Sequence, residues 1–375
     1  MELSTLLIHE GHFEDSSRAV MPPIVLSTTF ERGEDGLSYP SGYLYTRYDN
    51  PNRHALETKL ALMENGAAAI AFSSGLSAAL AVFQSLRTGD HVILPDDIYF
   101  GVRAILEKLF AQFGLSFTSV DMFYPEKVEK AIQSNTRLIW METPSNPRVK
   151  VADIAAMVDI ARRHDCFTVA DNTWATPYFT KPLDMGVDIS LHSTTKYLGG
   201  HSDILGGALI FKEKDVRYDF IRTFQKTGGA VPSPFDCWLL CRSLATFTAR
   251  MPIHAHNAMR LAQYLSEHPA IEAVLYPGLP DNPQHDIARR QMKGGFGGML
   301  SVLVKGGQEA ALNLCHHLRI FRHATSLGGV ESLIEHRRSV EGPDSPSPEN
   351  LLRISAGIED ANDLTADFEA ALRQL

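Results

Sequence analysis

The chain has 375 residues, 44% hydrophobic and 21% charged, with a net charge of -9. That length suits one large domain with a smaller partner, and an acidic chain without a basic stripe excludes nucleic acid as a partner. No apolar stretch reaches membrane-span length, the N-terminal MELSTLLIHEGHFED lacks a basic signal region, and Cys166, Cys237, Cys241 and Cys315 form no C-x-x-C pair or metal spacing with histidine.

The expectation is a reduced cytoplasmic protein with no metal site and no membrane contact. Residues 1–50 carry many turn formers and few periodic signals, so they read as an arm. From about residue 54, short apolar runs alternate with amphipathic stretches. The runs are AAIAF (68–72), HVILP (91–95), LSFTSV (115–120), RLIWME (137–142), FTVAD (167–171), VDISLH (187–192) and GALIF (207–211). Arg53 to Asn65, Leu76 to Leu86, Val102 to Phe113 and Ile154 to His164 have helical spacing. Alternation of this kind predicts an α/β fold with a mostly parallel seven-stranded sheet covered on both faces. After about residue 245, long helical stretches (249–267, 307–318) mix with short strands and Pro-rich connections, which predicts a smaller α+β C-terminal domain. The expected divisions are an arm over 1–50, a large domain over 51–245 and a C-terminal domain over 246–375.

Ligands of such sheets sit at the C-terminal strand ends. Four polar segments fall there, Ser73 to Gly75, Glu142 to Asn146, Asp171-Asn172 and Ser193 to Lys196. In AFSSGLSAAL, Ser73-Ser74-Gly75 leads from a strand into an Ala-rich helix, whose free N–H groups make either a phosphate seat or a plain N-cap. In VADNTWATP, Asp171 ends a buried strand, either as an Asx turn or as a carboxylate that needs a cation, such as a protonated pyridine nitrogen. In HSTTKYLGGHSD, Lys196 sits between hydroxyl residues and paired glycines. A solvated loop lysine is the plain reading; a lysine facing the cleft, desolvated near another cation, has a lowered pKa and can condense with an aldehyde. A phosphate seat, a ring-nitrogen aspartate and a cleft lysine together are the parts of a pyridoxal 5'-phosphate (PLP) site.

The stretch DNTWATPYFTKPLDMGVDISLHSTTKYLGGHSDILGG closely resembles the PLP-dependent Cys/Met metabolism (trans-sulfuration) family of cystathionine γ-synthases, γ-lyases and β-lyases and methionine γ-lyases. PPIVLSTTF, YTRYDNPNRHALE, FSSGLSA, METPSNP, SLGGVESLIEH and LLRISAGIED follow in that family's order and spacing. The resemblance implies the type I PLP-dependent transferase fold, assembled as a homotetramer from two active dimers. It makes Lys196 the residue that binds PLP covalently and later shuttles protons, and Asp171 the partner of the pyridine nitrogen. Gly75, Leu76 and Ser74, with Ser193 and Thr195, would hold the phosphate, and Tyr45 and Arg47 would reach it from the arm of a neighbouring subunit. Tyr99 would stack on the ring and relay protons, so Lys196 and Tyr99 are the catalytic pair. Asn146 would lie near the ring hydroxyl, with Glu142 as its polar support. The small amino-acid substrate would meet Tyr45, Tyr99, Asn146, Ser326 and Arg353, the last two clamping its carboxylate.

Four positions depart from the family's common pattern. Thr325 stands where many γ-synthases and γ-lyases have Glu, Phe100 follows the tyrosine where Gly is frequent, Val25 replaces a frequent Tyr, and EHRRSVEG replaces the usual Met-Thr-His stretch. These sites are expected on the substrate side of the cleft. The expected reaction is γ-elimination or γ-replacement on an amino acid with a γ-heteroatom leaving group. β-Elimination of the cystathionine β-lyase type, an aminotransferase and an inactive binding protein on the same fold are the alternatives. GGFGGM (294–299) lacks the glycine spacing and the βαβ setting of a nucleotide loop and reads as a turn.

Overall fold

The computed structural model describes residues 1–13, 18–342 and 345–375. Seven strands form the larger sheet: β1 (Ala68–Phe72), β2 (His91–Pro95), β3 (Ser116–Val120), β4 (Thr136–Glu142), β5 (Phe167–Asp171), β6 (Ile189–His192) and β7 (Gly207–Phe211), in the order β1-β7-β6-β5-β4-β2-β3. Only β7 runs against its neighbours, β1 and β6. Two reversals cancel, so β1 points the same way as β6, and the ends of β1, β4, β5 and β6 share one edge. Each strand lies within two residues of an apolar run in the sequence. The reason is burial on both faces: every residue of β1, β2, β6 and β7 is buried, so no polar alternation interrupts the runs.

The helices are less faithful to their periodicity. The stretch expected over 102–113 begins as an α-helix, Phe100–Ile105, then widens into a π-helical segment, Leu106–Phe110, and tightens into a 3-10 turn, Ala111–Phe113. The N-terminal region contains a helix that the pattern did not reveal, α1 (Leu3–His9), whose Leu7 is buried in the same core cluster as Leu56 and Leu60. Seven residues carry too little periodicity to register, and tertiary packing holds them. Leu56 and Leu60 belong to α2 (Pro51–Met63), whose start is capped by Asn50.

The smaller sheet has five strands, β8 (Ile271–Leu275), β9 (Met299–Val304), β10 (Arg322–His323), β11 (Leu333–His336) and β12 (Leu351–Ser355), in the order β10-β11-β12-β9-β8. It has its own core, in which Leu300, Val302, Ile354 and Phe368 pack together. Its link to the larger sheet is polar: Ser301 Oγ donates to the Pro147 carbonyl at 2.7 Å, and Val151 N–H donates to Gln284 Oε1 at 2.9 Å. The cysteines are all free, with Cys237 and Cys315 buried. Among the described residues no cluster of His, Cys, Asp or Glu could hold a metal, and no helix is long and apolar enough to cross a membrane.

One contact fixes the functional edge. The first residue of β7, Gly207, packs against the turn that leads from β1 into α3 (Gly75–Gln84), and a Cβ there would lie 2.2 Å from the Ser74 carbonyl oxygen and 2.7 Å from Gly75 Cα. Both neighbours are backbone and cannot swing aside. Gly207→Ala is therefore expected to destabilise the protein by about 1–3 kcal/mol, the usual cost of overpacking, seen as a lower midpoint in urea titration; an unchanged midpoint would show that the turn yields.

Candidate active site

A cleft of about 250 Å³ opens at the shared edge of the strands, between the two sheets. Ser74, Gly75, Leu76, Tyr99, Glu142, Asn146, Asp171, Ser193, Thr195, Lys196, Ser326 and Arg353 all line it. These residues are spread over 280 positions of sequence, from 74 to 353, and the topology brings them to one place.

The β1–α3 turn serves as both cap and seat. Ser74 caps α3 by accepting from Ser77 N–H at 3.0 Å, while the N–H groups of Gly75 and Leu76, at the first helical positions, have no partner inside the helix. A Cβ on Gly75 would stand 2.9 Å from Ser193 Cβ, so only glycine lets the end of β6 close this side of the cleft. Thr195 is already engaged: its Oγ1 donates to the Gly206 carbonyl at 3.2 Å and accepts from Gly206 N–H at 3.0 Å.

Glu142 and Asp171 are Cα partners at the ends of β4 and β5. Among the described residues neither has a salt-bridge partner. Asp171 Oδ1 accepts from Thr173 N–H at 3.0 Å, so the Asx turn is present, and the side chain still lines the cleft. Glu142 Oε2 accepts from Tyr99 N–H at 2.9 Å, which ties the tyrosine to the sheet. Burial raises both carboxyls, and the charge of Asp171 pushes Glu142 further up.

Lys196 lies in the turn after β6. The turn rolls back on itself through Gly199 N–H to the Thr194 carbonyl at 2.9 Å and Gly200 N–H to the Lys196 carbonyl at 2.7 Å. Gly200 has φ +70°, and a Cβ there would sit 2.1 Å from Arg250 Nη1; this explains the paired glycines. Lys196 Nζ donates to Ser326 Oγ at 2.8 Å. Burial, then the nearby Arg353 charge, lowers the amine to about 8. Ser326 itself has φ +100°, a strained backbone for a residue with a side chain, of the kind that persists where the surroundings over-determine it. Arg353, buried on β12, donates to Asn146 Oδ1 and to the Ser326 carbonyl, both at 3.0 Å. Burial of the Tyr99 phenol raises it above the ordinary value, against the pull of Arg337 and Arg353.

Two expected residues lie elsewhere. Tyr45 and Arg47 do not line the cleft of their own chain; Arg47 donates to the Lys226 carbonyl at 2.6 Å and stands 4.8 Å from the Tyr48 ring centroid. Of the departures from the family pattern, Thr325 and Phe100 line the cleft and Val25 does not. Sequence reasoning missed Thr173, Trp174 and Arg337 as cleft residues. The first two sit inside the DNTWA stretch and could have been taken with Asp171. Arg337 lies in EHRRSVEG, noted only as a departure.

The residues fit PLP. The cleft holds a desolvated carboxylate without a protein cation, a helix start with free N–H groups, and a low-pKa amine facing both. The comparisons agree. The family model for Cys/Met metabolism PLP-dependent enzyme matches residues 4–373, and the chain belongs to that family. It is 45% identical over 378 residues to the cystathionine γ-synthase of Mycobacterium leprae, covering 99% of this chain and 96% of that one. It is 43% identical over 380 residues to the cystathionine γ-lyase of Dictyostelium discoideum, covering 99% and 97%. The crystal structure of metB from Corynebacterium glutamicum superposes with a TM-score of 0.97 at 41% identity, covering 100% of this chain and 98% of that one. The protein is a PLP-dependent enzyme with the type I PLP-dependent transferase fold.

The lowered amine has a measurable consequence. Only the neutral amine attacks an aldehyde, so the rate at which apoprotein captures PLP should rise as pH passes through about 8 rather than 10.5. Stopped-flow absorbance across pH 6–11 checks this, and a midpoint above 10 would show that the lysine is solvated.

Proposed function

We propose that the enzyme catalyses γ-elimination or γ-replacement on an amino acid carrying a γ-heteroatom leaving group. The observation that carries this reading is the pairing of two proton-transfer groups, Lys196 and Tyr99, in one cleft with a buried arginine, Arg353, beside them. When bound, PLP supplies an electron sink for negative charge at the substrate's α-carbon. Arg353 and Ser326 hold the α-carboxylate and so orient the α-proton toward Lys196 Nζ. Departure of a γ-substituent requires a second proton to be removed, from the β-carbon, and Lys196 and Tyr99 together provide a base for one and an acid for the leaving group. Asp171 would keep the ring nitrogen charged, while Glu142 holds Tyr99 in place through its backbone N–H. The names of the γ-synthase and γ-lyase relatives support this reading.

Thr325 and Phe100 shape the far side of the cleft. A carboxylate at position 325 would anchor a distal ammonium; threonine cannot, so the distal group that this enzyme prefers differs from that of cystathionine. Tyr45 and Arg47 complete the phosphate seat of a neighbouring subunit, with residues 1–50 as the arm, 51–245 as the cofactor domain and 246–375 as the C-terminal domain. The exposure of Tyr45, and the absence of both residues from the lining of their own chain's cleft, support an active dimer, two of which make a tetramer.

Product identification tests the reaction. Purified enzyme with PLP is incubated with homoserine esters, cystathionine, homocysteine, methionine and oxygen-linked analogues, with and without an added thiol. The expected products are 2-oxobutyrate with ammonia, or a thioether formed by γ-replacement. Pyruvate would replace this reading by β-elimination, and turnover that needs a keto acid and frees no ammonia would replace it by transamination.

A further inference from the structure

Arg353 does not face the cleft alone. Its Cα register partner on β11 is Glu335, and Glu335 Oε2 accepts from two guanidinium groups at once, Arg353 Nη2 at 2.5 Å and Arg337 Nη1 at 2.6 Å. Arg337 lines the cleft beside Arg353. On its other side it donates through Nε and Nη2 to Glu341 Oε1 at 3.1 and 2.7 Å. Glu341 Oε2 accepts in turn from the Ser345 and Ser347 hydroxyls. The side chains of Arg353, Glu335, Arg337 and Glu341 are 4%, 3%, 2% and 8% exposed, so their charges act on one another with little screening by water. Among the described residues the second Glu335 oxygen is buried without a partner, which leaves the carboxylate dependent on its shared Oε2.

This arrangement poses a charge problem that Arg337 solves. A buried carboxylate bonded to Arg353 alone would neutralise the cation that an incoming substrate carboxylate must find. A second guanidinium on the same oxygen divides that negative charge. Three of the five Arg353 donors are engaged, by Asn146, Ser326 and Glu335, and the others remain for a ligand. Arg337 lies in the stretch where this chain departs from its family's common pattern.

We propose that Glu335 and Arg337 are positioning residues for substrate binding: Glu335 fixes the Arg353 guanidinium, and Arg337 shares the Glu335 charge so that it does not cancel the attraction of Arg353 for the α-carboxylate. The inference rests on Arg353 as the carboxylate clamp. It predicts that the two residues act on binding as a coupled pair and leave the chemical step alone.

A double-mutant cycle tests it on PLP-loaded enzyme, with the Kd of L-alanine, which carries no leaving group, read from the cofactor's absorbance, and KM and kcat read with whichever substrate the panel turns over. Arg337→Met should raise Kd and KM about tenfold, the loss associated with one charged hydrogen bond, with kcat within twofold. Adding Glu335→Gln should restore Kd to within twofold of the Glu335→Gln value, and Arg337→Lys should stay near wild type. Additive effects of the two substitutions, or a loss confined to kcat, would overturn the proposal. If Arg337→Met fails to fold, Glu335→Gln decides: unchanged or tighter binding supports the proposal, and binding weakened about tenfold overturns it. Arg353→Met serves as the reference. If it leaves Kd unchanged, the clamp itself is wrong; if it weakens binding while the cycle is additive, only the present inference falls.

Discussion

Two carboxylates on neighbouring strands, with no salt-bridge partner for either among the described residues, govern this molecule. Glu142 and Asp171 end β4 and β5 in register, in a cleft that burial keeps from screening them. Burial raises both carboxyls, and a cation beside Asp171 would offset that cost, the place proposed here for the pyridine nitrogen of PLP. The same cleft is lined by Lys196, the start of α3 and the buried Arg353, and close approaches at Gly75 and Gly207 let the backbone come together there.

The site belongs to both sheets. Lys196 and Asn146 come from the larger one, while Ser326 and Arg353 come from the smaller one, and hydrogen bonds from Lys196 Nζ to Ser326 Oγ and from Arg353 to Asn146 Oδ1 join them. The amine's low pKa is therefore a product of the assembled fold, since burial by both halves and the charge of Arg353 cause it. The groups proposed for substrate recognition and for proton transfer meet at this contact. A ligand carboxylate that neutralises Arg353 also removes a cation from the neighbourhood of Lys196.

Much of this was legible in the sequence, for a physical reason. Strands buried on both faces write themselves as unbroken apolar runs, and the polar residues after those runs are the ones the edge exposes, so Ser74, Asp171 and Lys196 could be placed before any coordinates. What stayed hidden depends on partners distant in sequence. Arg337 is unremarkable in EHRRSVEG until β11 pairs with β12 and brings Glu335 to Arg353. The strands β10 and β11 have two and four residues, too few for a period to show. The roles proposed for Tyr45 and Arg47 concern a second chain, since neither lines the cleft of its own chain.

The central claim is that the Lys196 amine carries the cofactor. Reducing PLP-loaded protein with borohydride fixes the linkage, and mass spectrometry of a proteolytic digest then locates it. The account predicts one modified peptide, containing Lys196. Modification at another lysine, or a cofactor lost on denaturation after reduction, would contradict it.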